Sequence, residues 1–454
     1  MFILKRTRTF MHSTAARLIA SYYFIFTIVF AVLLWMPFSL QEGVSISFLD
    51  AFFTATSGLS ATGLATVRIS ETFSPIGLFL LTLTMQIGGL GITMLSTVFW
   101  LIAKHKISTR ERYLIMTDQN QINLSGVVKL VKSVIISFTA IQLIFTLILG
   151  HYFYFNGINE NYWAALFHGL FATTAATTNV GYDLTGQSLI PFRHHYLLQV
   201  LLMFLMFFGM MGFPVILEIK EYFIYKRKKK KFKFSIYTKI TMATTFLLWG
   251  LGIIGFYIFE YQNFLADKGI TERFFYATFH SLTTRNAGLV TTEMTNLSAS
   301  TLILFAFLMI IGASPNSTGG GIRTTTFAII CAALFSFSLG KEHVNMYGRE
   351  IEQKTVYKAF MIFIFATFTV GFVTMVICAT DSFSFLEIFF EVASAFGTTG
   401  LSLGITPYLT PFAKILLIIT MFIGRIGILT ALMLFRRRVS PAKVRYPKTD
   451  LIIG

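Results

Sequence analysis

Eight largely apolar runs take up most of this 454-residue chain and are candidate membrane spans. About 20 apolar residues span the roughly 30 Å hydrocarbon core of a membrane. With 55% hydrophobic and only 13% charged residues, a soluble domain could not cover so much apolar surface. The sequence therefore predicts an all-α polytopic membrane protein with eight transmembrane spans and no separate soluble catalytic domain. The predicted spans lie near residues 15–37, 76–103, 127–155, 192–217, 236–260, 300–338, 355–379 and 407–435.

Positive charge is concentrated in every second link between these spans. The formal net charge is +17, and most Lys and Arg lie in the N-terminus, the links 104–132, 218–239 and 341–358, and the tail from Arg436. The positive-inside rule then predicts a multi-pass protein of the cell inner or plasma membrane, with both termini in the cytoplasm. The basic run KRKKKKFKF (226–234) flanks a predicted span, where such clusters more often meet anionic lipid or an acidic partner than nucleic acid.

A short polar segment with a central glycine occurs four times at nearly equal intervals. The four segments read SGLSATGLAT, TTNVGYD, SLTTRNAGLV and ASAFGTTGLS, and their shared glycines are Gly63, Gly181, Gly288 and Gly400. An apolar stretch of about a dozen residues precedes each glycine, and as a helix it would measure roughly 18 Å, about half of a bilayer. The pattern predicts four half-membrane helices, each ending in a polar glycine turn.

A second motif, Met followed three residues later by Gly, occurs downstream of each turn. It reads MQIGGLG, MFFGMMG, MIIGASP and MFIGRIG, with glycines Gly88, Gly209, Gly312 and Gly424. Singly, Gly88 and Gly209 are better explained by close helix packing, although the shared register also suggests positions that face a pore.

Together the motifs define one unit of span, half-helix, glycine turn and span. Four copies predict repeats at 1–112, 113–225, 226–345 and 346–454, the third with a broken second helix. Each copy crosses the membrane twice and begins on the same side. Parallel repeats of this kind predict pseudo-fourfold symmetry about an axis along the membrane normal, with a central pore.

The four turns are predicted to form a cation filter. Non-helical backbone at membrane depth must be buried in protein or line water, and a glycine can turn a carbonyl toward the axis without a clash. Helix C-termini pointing at the same axis also favour cations, and potassium-channel filters, which read TVGYG, bind cations by carbonyl rings. We therefore predict K⁺ at backbone carbonyls of the turns. The predicted filter residues are Thr62, Gly63, Asn179, Val180, Gly181, Asn286, Ala287, Gly288, Thr398, Thr399 and Gly400.

Acidic and imidazole side chains near the turns have more than one interpretation. The carboxylates could add to the cation-attracting field, or could serve as helix caps, packing partners or charges at the mouth of the pore; they are Asp50, Asp183, Glu293 and Glu391. His168 and His280 are expected to hydrogen-bond locally in preference to binding a metal.

The sixth predicted span is interrupted by GASPNSTGGGIRTTT. The apolar run 300–311 is too short to cross the bilayer, and Pro315 with three successive glycines breaks the helix. A phosphate-binding loop is excluded because the lysine of the P-loop motif and a preceding strand are absent. A flexible kink and a gate remain, and the register with the other repeats favours the gate. The predicted gate residues are Gly312, Ala313, Ser314, Pro315, Asn316, Ser317, Thr318, Gly319, Gly320 and Gly321.

Arg425 directly follows Gly424, in a span where an unpaired charge costs roughly 2.5–3.5 kcal/mol on insertion scales. It is assigned to the gate in one of two ways. It is either a positive barrier facing the pore, which its position favours, or a clamp on the carbonyls of the broken segment.

These motifs resemble the membrane subunit of the Trk/Ktr/HKT superfamily of potassium transporters over essentially the whole chain. The chain starts directly on the first repeat, which resembles the Ktr type. The resemblance implies potassium uptake that is often dependent on sodium, a homodimer with one pore per subunit, and a separate cytoplasmic nucleotide-binding ring. It also implies that the glycine-rich loop obstructs the pore below the filter.

Only the glycine is common to the four filter segments, so fewer symmetric carbonyl rings are expected than in a potassium channel. This difference predicts looser selectivity among monovalent cations, with Na⁺ as a possible second ion. The alternative function is the ion-translocating subunit of an ATP-driven potassium pump, although such subunits are usually longer and have ten spans. An intramembrane enzyme is not expected, because no Ser/Lys, paired Asp or HExxH group is found.

Overall fold

The computed structural model describes residues 15–91, 94 and 127–434. The first repeat contains α1 (Ala15–Trp35), α2 (Phe48–Ser60), α3 (Ile69–Thr72) and α4 (Pro75–Leu90). The second contains α5 (Val127–Phe155), α6 (Tyr162–Thr177), α7 (Tyr196–Met210) and α8 (Phe213–Arg227). The third contains α9 (Ile236–Glu260), α10 (Ile270–Thr283), α11 (Ala299–Ile310) and α12 (Thr324–Ser338), then the hairpin β1 (Asn345–Met346) and β2 (Arg349–Glu350). The fourth contains α13 (Gln353–Thr380), α14 (Phe385–Gly397), α15 (Pro411–Ile426) and α16 (Ile428–Leu434).

The predicted half-membrane helices are present as α2, α6, α10 and α14, which we call the pore helices. Side-chain caps start three of them: Ser47 accepts from the backbone N–H of Asp50, Asn161 from Trp163, and Ser384 from Glu387. Such caps satisfy backbone donors that the first turn of a helix leaves free.

The following helices, α4, α7, α11 and α15, we call the inner helices. Ser74, Ser298 and Thr410 cap α4, α11 and α15. Proline occupies the start of α4 and α15, where its missing N–H has no cost. The starts of α4, α11 and α15 are therefore encoded locally.

Four helices in the described residues are long and apolar enough to cross a membrane: Arg17–Trp35, Leu130–Phe155, Ile236–Glu260 and Gln353–Thr380. The pairs α7–α8 and α15–α16 reach this length only if each bent pair is one span, whereas α4, α11 and α12 are shorter. The chain is thus a multi-pass membrane protein. The count of eight spans stays a prediction, and part of the predicted span 76–103 lies outside the described residues.

The predicted spans at 192–217 and 407–435 are each bent pairs of helices. The chain bends by 107° between α7 and α8 and by 108° between α15 and α16. Gly212 (φ 87°, ψ 135°) and Gly427 (φ 84°, ψ 142°) have backbone angles that no helix continues through, and Gly91 ends α4 in the same way (φ 89°, ψ 141°). These are the last residues of three of the Met-x-x-Gly heptapeptides, and Pro315 is the last of the fourth.

The three predicted boundaries between repeats do not lie at equivalent positions in the structure. The boundary at 112/113 lies outside the described residues, that at 225/226 falls in the last turn of α8, and that at 345/346 falls within β1. The boundaries therefore stay predictions.

The four repeats close into a ring. The inner helix of each repeat packs on the pore helix of the next: α4 on α6, α7 on α10, α11 on α14, and α15 back on α2. The buried clusters follow the same order, since each joins neighbouring repeats. For example, Phe53 and Leu64 of the first repeat are buried together with Phe396 and Leu417 of the fourth. This closure is the predicted pseudo-fourfold arrangement.

One ion pair also joins the first and last repeats. Lys414 Nζ on α15 lies 2.9 Å from Asp50 Oδ1 on α2, with the two side chains only 12% and 20% exposed. Asp50 also accepts a 2.6 Å hydrogen bond from the hydroxyl of Ser47. Of the interpretations open for Asp50, these contacts support those of a helix cap and a packing partner.

Replacing Lys414 should lower the thermal stability of the detergent-purified protein. The change Lys414→Met leaves the Asp50 carboxylate largely buried and without its cation, at a cost of about 2 kcal/mol. The double variant Asp50→Asn/Lys414→Met removes both charges and should regain part of the lost stability. Equal loss in the single and double variants would show that the ion pair does not contribute to closing the ring.

Candidate ion filter and gating loop

The four predicted filter turns share one backbone conformation despite their different sequences. The filter glycines all have positive φ, between 71° and 92°. The residue two positions earlier is also left-handed in every repeat, although none of these four residues is a glycine: Ala61 (56°), Asn179 (56°), Asn286 (81°) and Thr398 (53°). Left-handed non-glycine residues carry strain that surrounding contacts must offset. The recurrence of this conformation four times identifies the turns as equivalent parts of one site.

The turns meet around a common axis in chain order. A Cβ built on each filter glycine would point at the carbonyl of the residue before the glycine in the adjacent repeat. The pairs are Gly63 with Val180, Gly181 with Ala287, Gly288 with Thr399, and Gly400 with Thr62. The predicted filter residues are therefore brought together, and only glycine fits at the four closest approaches.

Side chains of the pore helices hold the turns in place. Ser57 and Ser394, at equivalent positions, accept hydrogen bonds of 3.0 Å from the N–H groups of Gly63 and Gly400. The Tyr182 hydroxyl is hydrogen-bonded across the repeat boundary to the carbonyls of Thr54 and Leu64, each at 3.2 Å. Backbone N–H groups are thus satisfied from behind the turn, which leaves carbonyls available at the axis.

Two further carboxylates near the turns bind loops. Glu391 on α14 accepts from the hydroxyl of Ser402, from the Leu403 N–H at 3.3 Å and from the Thr406 hydroxyl at 3.1 Å. Asp183 accepts from the N–H and hydroxyl of Thr185. These contacts support the capping and packing interpretation of both residues.

The histidines of the pore helices bond locally, as expected. His168 Nδ1 lies 3.0 Å from Asn159 Oδ1, and His280 Nδ1 lies 3.0 Å from the carbonyl of Tyr276. Within the described residues, no group of three or more His, Cys, Asp or Glu could hold a metal ion.

The glycine-rich segment 312–321 is a loop between α11 and α12 that lies against the filter turns of three repeats. Thr318 Oγ1 is 3.0 Å from the side-chain amide of Asn179. A Cβ on Gly319 would be 2.7 Å from Cγ of Asn286, and one on Gly320 would be 2.6 Å from the side chain of Thr398. Three successive loop residues thus contact the left-handed residues of the second, third and fourth turns.

Backbone hydrogen bonds attach this loop to the end of α7. The N–H groups of Ser314 and Thr318 donate to Met210 and Gly209, each at 3.2 Å, and Phe213 N–H donates to the carbonyl of Asn316 at 2.7 Å. The break after α7 exposes the groups that make these bonds, so the bend in the second repeat and the loop of the third depend on each other.

The second half of the loop is held by the third and fourth repeats. Gly321 N–H donates to Gly424 O at 3.3 Å, and Thr324 N–H donates to Ala313 O at 3.3 Å. The Tyr237 hydroxyl donates to the Pro315 carbonyl at 2.6 Å, and the Ser317 hydroxyl donates to Ser314 O at 2.6 Å. A Cβ on Gly312 would point at the carbonyl of Gly320, so the two ends of the loop are in contact.

Arg425 has the geometry of a clamp. Its Nη1 donates to the carbonyl of Thr318 in the loop, and its Nη2 donates to Gly88 O and, at 3.1 Å, to Gly89 O on α4. One buried guanidinium thus joins the first, third and fourth repeats. Sequence position had favoured a barrier, but the forked contacts support the clamp.

The glycines of the second motif are packing positions. Cβ atoms on Gly88, Gly209 and Gly424 would point at carbonyls near the ends of their own pore helices: those of Leu59, Thr177 and Phe396 respectively. Their register therefore reflects close contact of the inner helix with the pore helix, and it does not place them on the pore.

A cavity of about 380 Å³ borders the loop, and its lining includes Pro315, Asn316, Ser317 and Gly321 but no filter residue. Arg425 also borders it, together with two further basic residues, Arg323 and Lys358. The filter and the cavity thus contact different residues of the loop.

Sequence reasoning missed two arginines that bind the loop or its start. Arg285 donates to carbonyls at the end of α11, and Arg323 donates to the carbonyls of Gly319 and, at 3.4 Å, Ser314. A signal for Arg285 was present, because it is the one basic residue in the four filter segments.

Four carbonyl-rich turns on one axis, with a loop beneath them in a multi-pass helical protein, define a membrane protein that conducts cations. The chain matches the TrkH family, described as cation transport proteins, over residues 5–445. It belongs to this family, and the resemblance seen in the sequence motifs is confirmed.

Several relatives match along nearly their whole length. The chain is 45% identical over 441 residues to the Ktr system potassium uptake protein D of Bacillus subtilis (strain 168), covering 97% of both chains. It is 35% identical to the potassium/sodium uptake protein NtpJ of Enterococcus hirae over all of both chains. The crystal structure of the potassium transporter TrkH from Vibrio parahaemolyticus has the same fold, with a TM-score of 0.72 and 18% identity over 94% of this chain and 86% of that one.

The filter geometry predicts a position-specific effect of adding a side chain. Gly400→Ser would direct Cβ at the Thr62 carbonyl, whereas Gly404→Ser would strain a similar backbone (φ 86°) with nothing within 4 Å. We expect Gly400→Ser to reduce the preference for K⁺ over Na⁺ by roughly tenfold, about 1.4 kcal/mol. Gly404→Ser should retain the preference. Competition uptake in a potassium-starved host measures both, and equal preferences in the two expressed variants would rule out Gly400 as a filter residue.

Proposed function

We propose that this protein takes up potassium across the cell membrane through a cation-selective pore that the loop 312–321 opens and closes. The observation that carries the proposal is the ring of four left-handed turns, in which each filter glycine adjoins a carbonyl of the adjacent repeat. Backbone carbonyls can replace the hydration shell of a cation. K⁺ is the cargo and binds at these carbonyls, and no organic cofactor takes part.

Sodium dependence or stimulation is part of the proposal. One relative is named a potassium/sodium uptake protein, which supports a role for Na⁺ in this chain. The turns share backbone conformation but not side chains, so the four repeats present unequal surroundings to an ion. Such a site discriminates between K⁺ and Na⁺ less strictly than four identical segments would.

The loop is the gate in this proposal. It contacts the filter turns on one side and borders the cavity on the other. Besides the backbone hydrogen bonds of the loop, its carbonyls accept hydrogen bonds from the side chains of Arg425, Arg323 and Tyr237. Loss of these side-chain contacts would favour an open path from the filter to the cavity.

The proposed protein is a transporter subunit and has no enzymatic activity. It forms a homodimer in the bilayer, with both termini and the basic links in the cytoplasm. A separate nucleotide-binding ring regulates it there. The exposed basic run that follows α8, together with the hairpin β1–β2, provides surface for such a partner.

Purified protein in liposomes should conduct K⁺ down its gradient without ATP. A gated pore needs only the ion gradient, whereas the ion-translocating subunit of a pump depends on ATP hydrolysis. Flux of ⁸⁶Rb⁺ or K⁺ into vesicles containing this chain alone distinguishes the two. Strict dependence on ATP would reject the proposed function in favour of the pump.

Substitution of Arg425 should open the gate. Arg425→Ala removes the donors to Thr318 and to α4, and Arg425→Lys cannot reproduce the planar fork that binds several carbonyls. We therefore expect both variants to raise K⁺ flux to a similar degree, roughly tenfold for a loss of about 1.4 kcal/mol.

A barrier would behave differently, because its effect depends on positive charge. In that case Arg425→Lys would keep flux low while Arg425→Ala raised it. Arg68→Lys, at an exposed arginine paired with Glu71 outside the gate, is the matched control and should conduct like the unmodified protein.

A further inference from the structure

Arg285 is a buried cation in the third filter segment. It lies three residues before Gly288, where the other repeats have Ser60, Thr178 and Gly397. Its side chain is only 1% exposed, and it is the largest of the fully buried side chains in the described residues. Burial of a charge is costly unless the charge is well bonded, so its contacts are informative.

The guanidinium binds the end of the inner helix of its own repeat. Nη1 donates to the carbonyls of Leu308, at 3.2 Å, and Ile311, and Nη2 donates to Gly312 O at 2.6 Å. These carbonyls lie at the C-terminus of α11, where the backbone oxygens lack partners within the helix and carry partial negative charge.

The end of α11 differs in position from the ends of the other inner helices. Helices α4, α7 and α15 extend one or two residues beyond the glycine of the shared Met-x-x-Gly motif. Relative to the shared Met-x-x-Gly motif, α11 ends earlier, at Ile310, just before the loop. The shortened helix leaves carbonyls free beside the filter turn, and Arg285 binds them.

The neighbouring residue extends the contact to the fourth repeat. Asn286 Nδ2 donates to the carbonyl of Gly397 and to the carbonyl and hydroxyl of Thr398, the latter two at 3.2 and 3.1 Å. Arg285 and Asn286 together join the third filter turn to the end of α11 on one side and to the fourth turn on the other.

We propose that Arg285 is a positioning residue for ion selectivity, because it anchors the third filter turn to the fixed end of α11. This inference rests on the proposed function. The anchor ends at Gly312, whereas Arg323 and Arg425 bind Gly319 and Thr318 farther along the loop. The filter therefore keeps its shape while the rest of the loop moves, and selectivity is separated from gating.

The test compares Arg285→Gln and Arg285→Lys with Arg323→Gln, a matched change at an arginine that binds the loop but not the filter. Two quantities are measured for each purified variant: competition between K⁺ and Na⁺ for flux in liposomes, and the rise in Tm caused by each ion in detergent. The ion-induced change in Tm reports binding and does not depend on the state of the gate.

We expect Arg285→Gln to reduce the K⁺ over Na⁺ preference by about fivefold in both measurements. A change of this size is at the low end of the range found for two energetically coupled sites in a protein. Arg285→Lys should recover part of the preference, because it keeps the cation but not the fork. Arg323→Gln should raise flux with the preference unchanged.

Three results would overturn the inference. The first is an unchanged preference in a monodisperse Arg285 variant, and the second is an equal loss in Arg323→Gln. The third is failure of both Arg285 variants to give monodisperse protein while Arg323→Gln does, which would make Arg285 a general stabiliser of the fold. Absence of any K⁺ preference in the unmodified protein would instead reject the proposed filter.

Discussion

Backbone carbonyls and N–H groups at membrane depth must find partners within the protein or in a water-filled path, and the rest of this structure depends on that requirement. Four turns and one long loop interrupt the helices at this depth. The turns are satisfied from behind by side chains such as Ser57 and Ser394. Their remaining carbonyls adjoin neighbouring glycines around one axis. The closed ring of repeats follows from this need, because an open arrangement would leave the turns against lipid.

The loop meets the same requirement by a different means. Its carbonyls accept hydrogen bonds from three buried or half-buried arginines, Arg285, Arg323 and Arg425. An arginine can bind several carbonyls at once through its planar fork. Carbonyls at helix ends and in the loop carry partial negative charge, which offsets the cost of placing these cations beside a cation path. The departure of the third repeat from fourfold symmetry is therefore accompanied by its own set of donors.

Sequence periodicity predicted the architecture well because it depends on repeated local requirements. The four filter glycines, the half-membrane helices before them and the interruption at 312–321 all follow from patterns that recur in register. The same register is ambiguous where two physical causes produce one pattern. Gly88, Gly209 and Gly424 recur because the inner helix packs closely on its pore helix, and close packing requires glycine as strictly as a pore lining does. The terminal glycines of the same motif, Gly212 and Gly427, carry the sharp bends that hydropathy alone could not reveal.

The sequence by itself determined that the chain is a multi-pass helical membrane protein of four parallel units with a glycine turn in each. These features depend on hydrophobic length, local helix signals and the lack of a Cβ, all of which are properties of neighbouring residues. Only the tertiary structure decided which side chains serve the turns and the loop. Arg425 reaches Gly88 across more than three hundred residues of sequence, and Arg285 bonds the end of a helix that begins beyond its own filter turn. Such contacts depend on how the four repeats close into a ring. Hydrogen bonds between segments that are far apart in the chain produce no periodic pattern in the sequence.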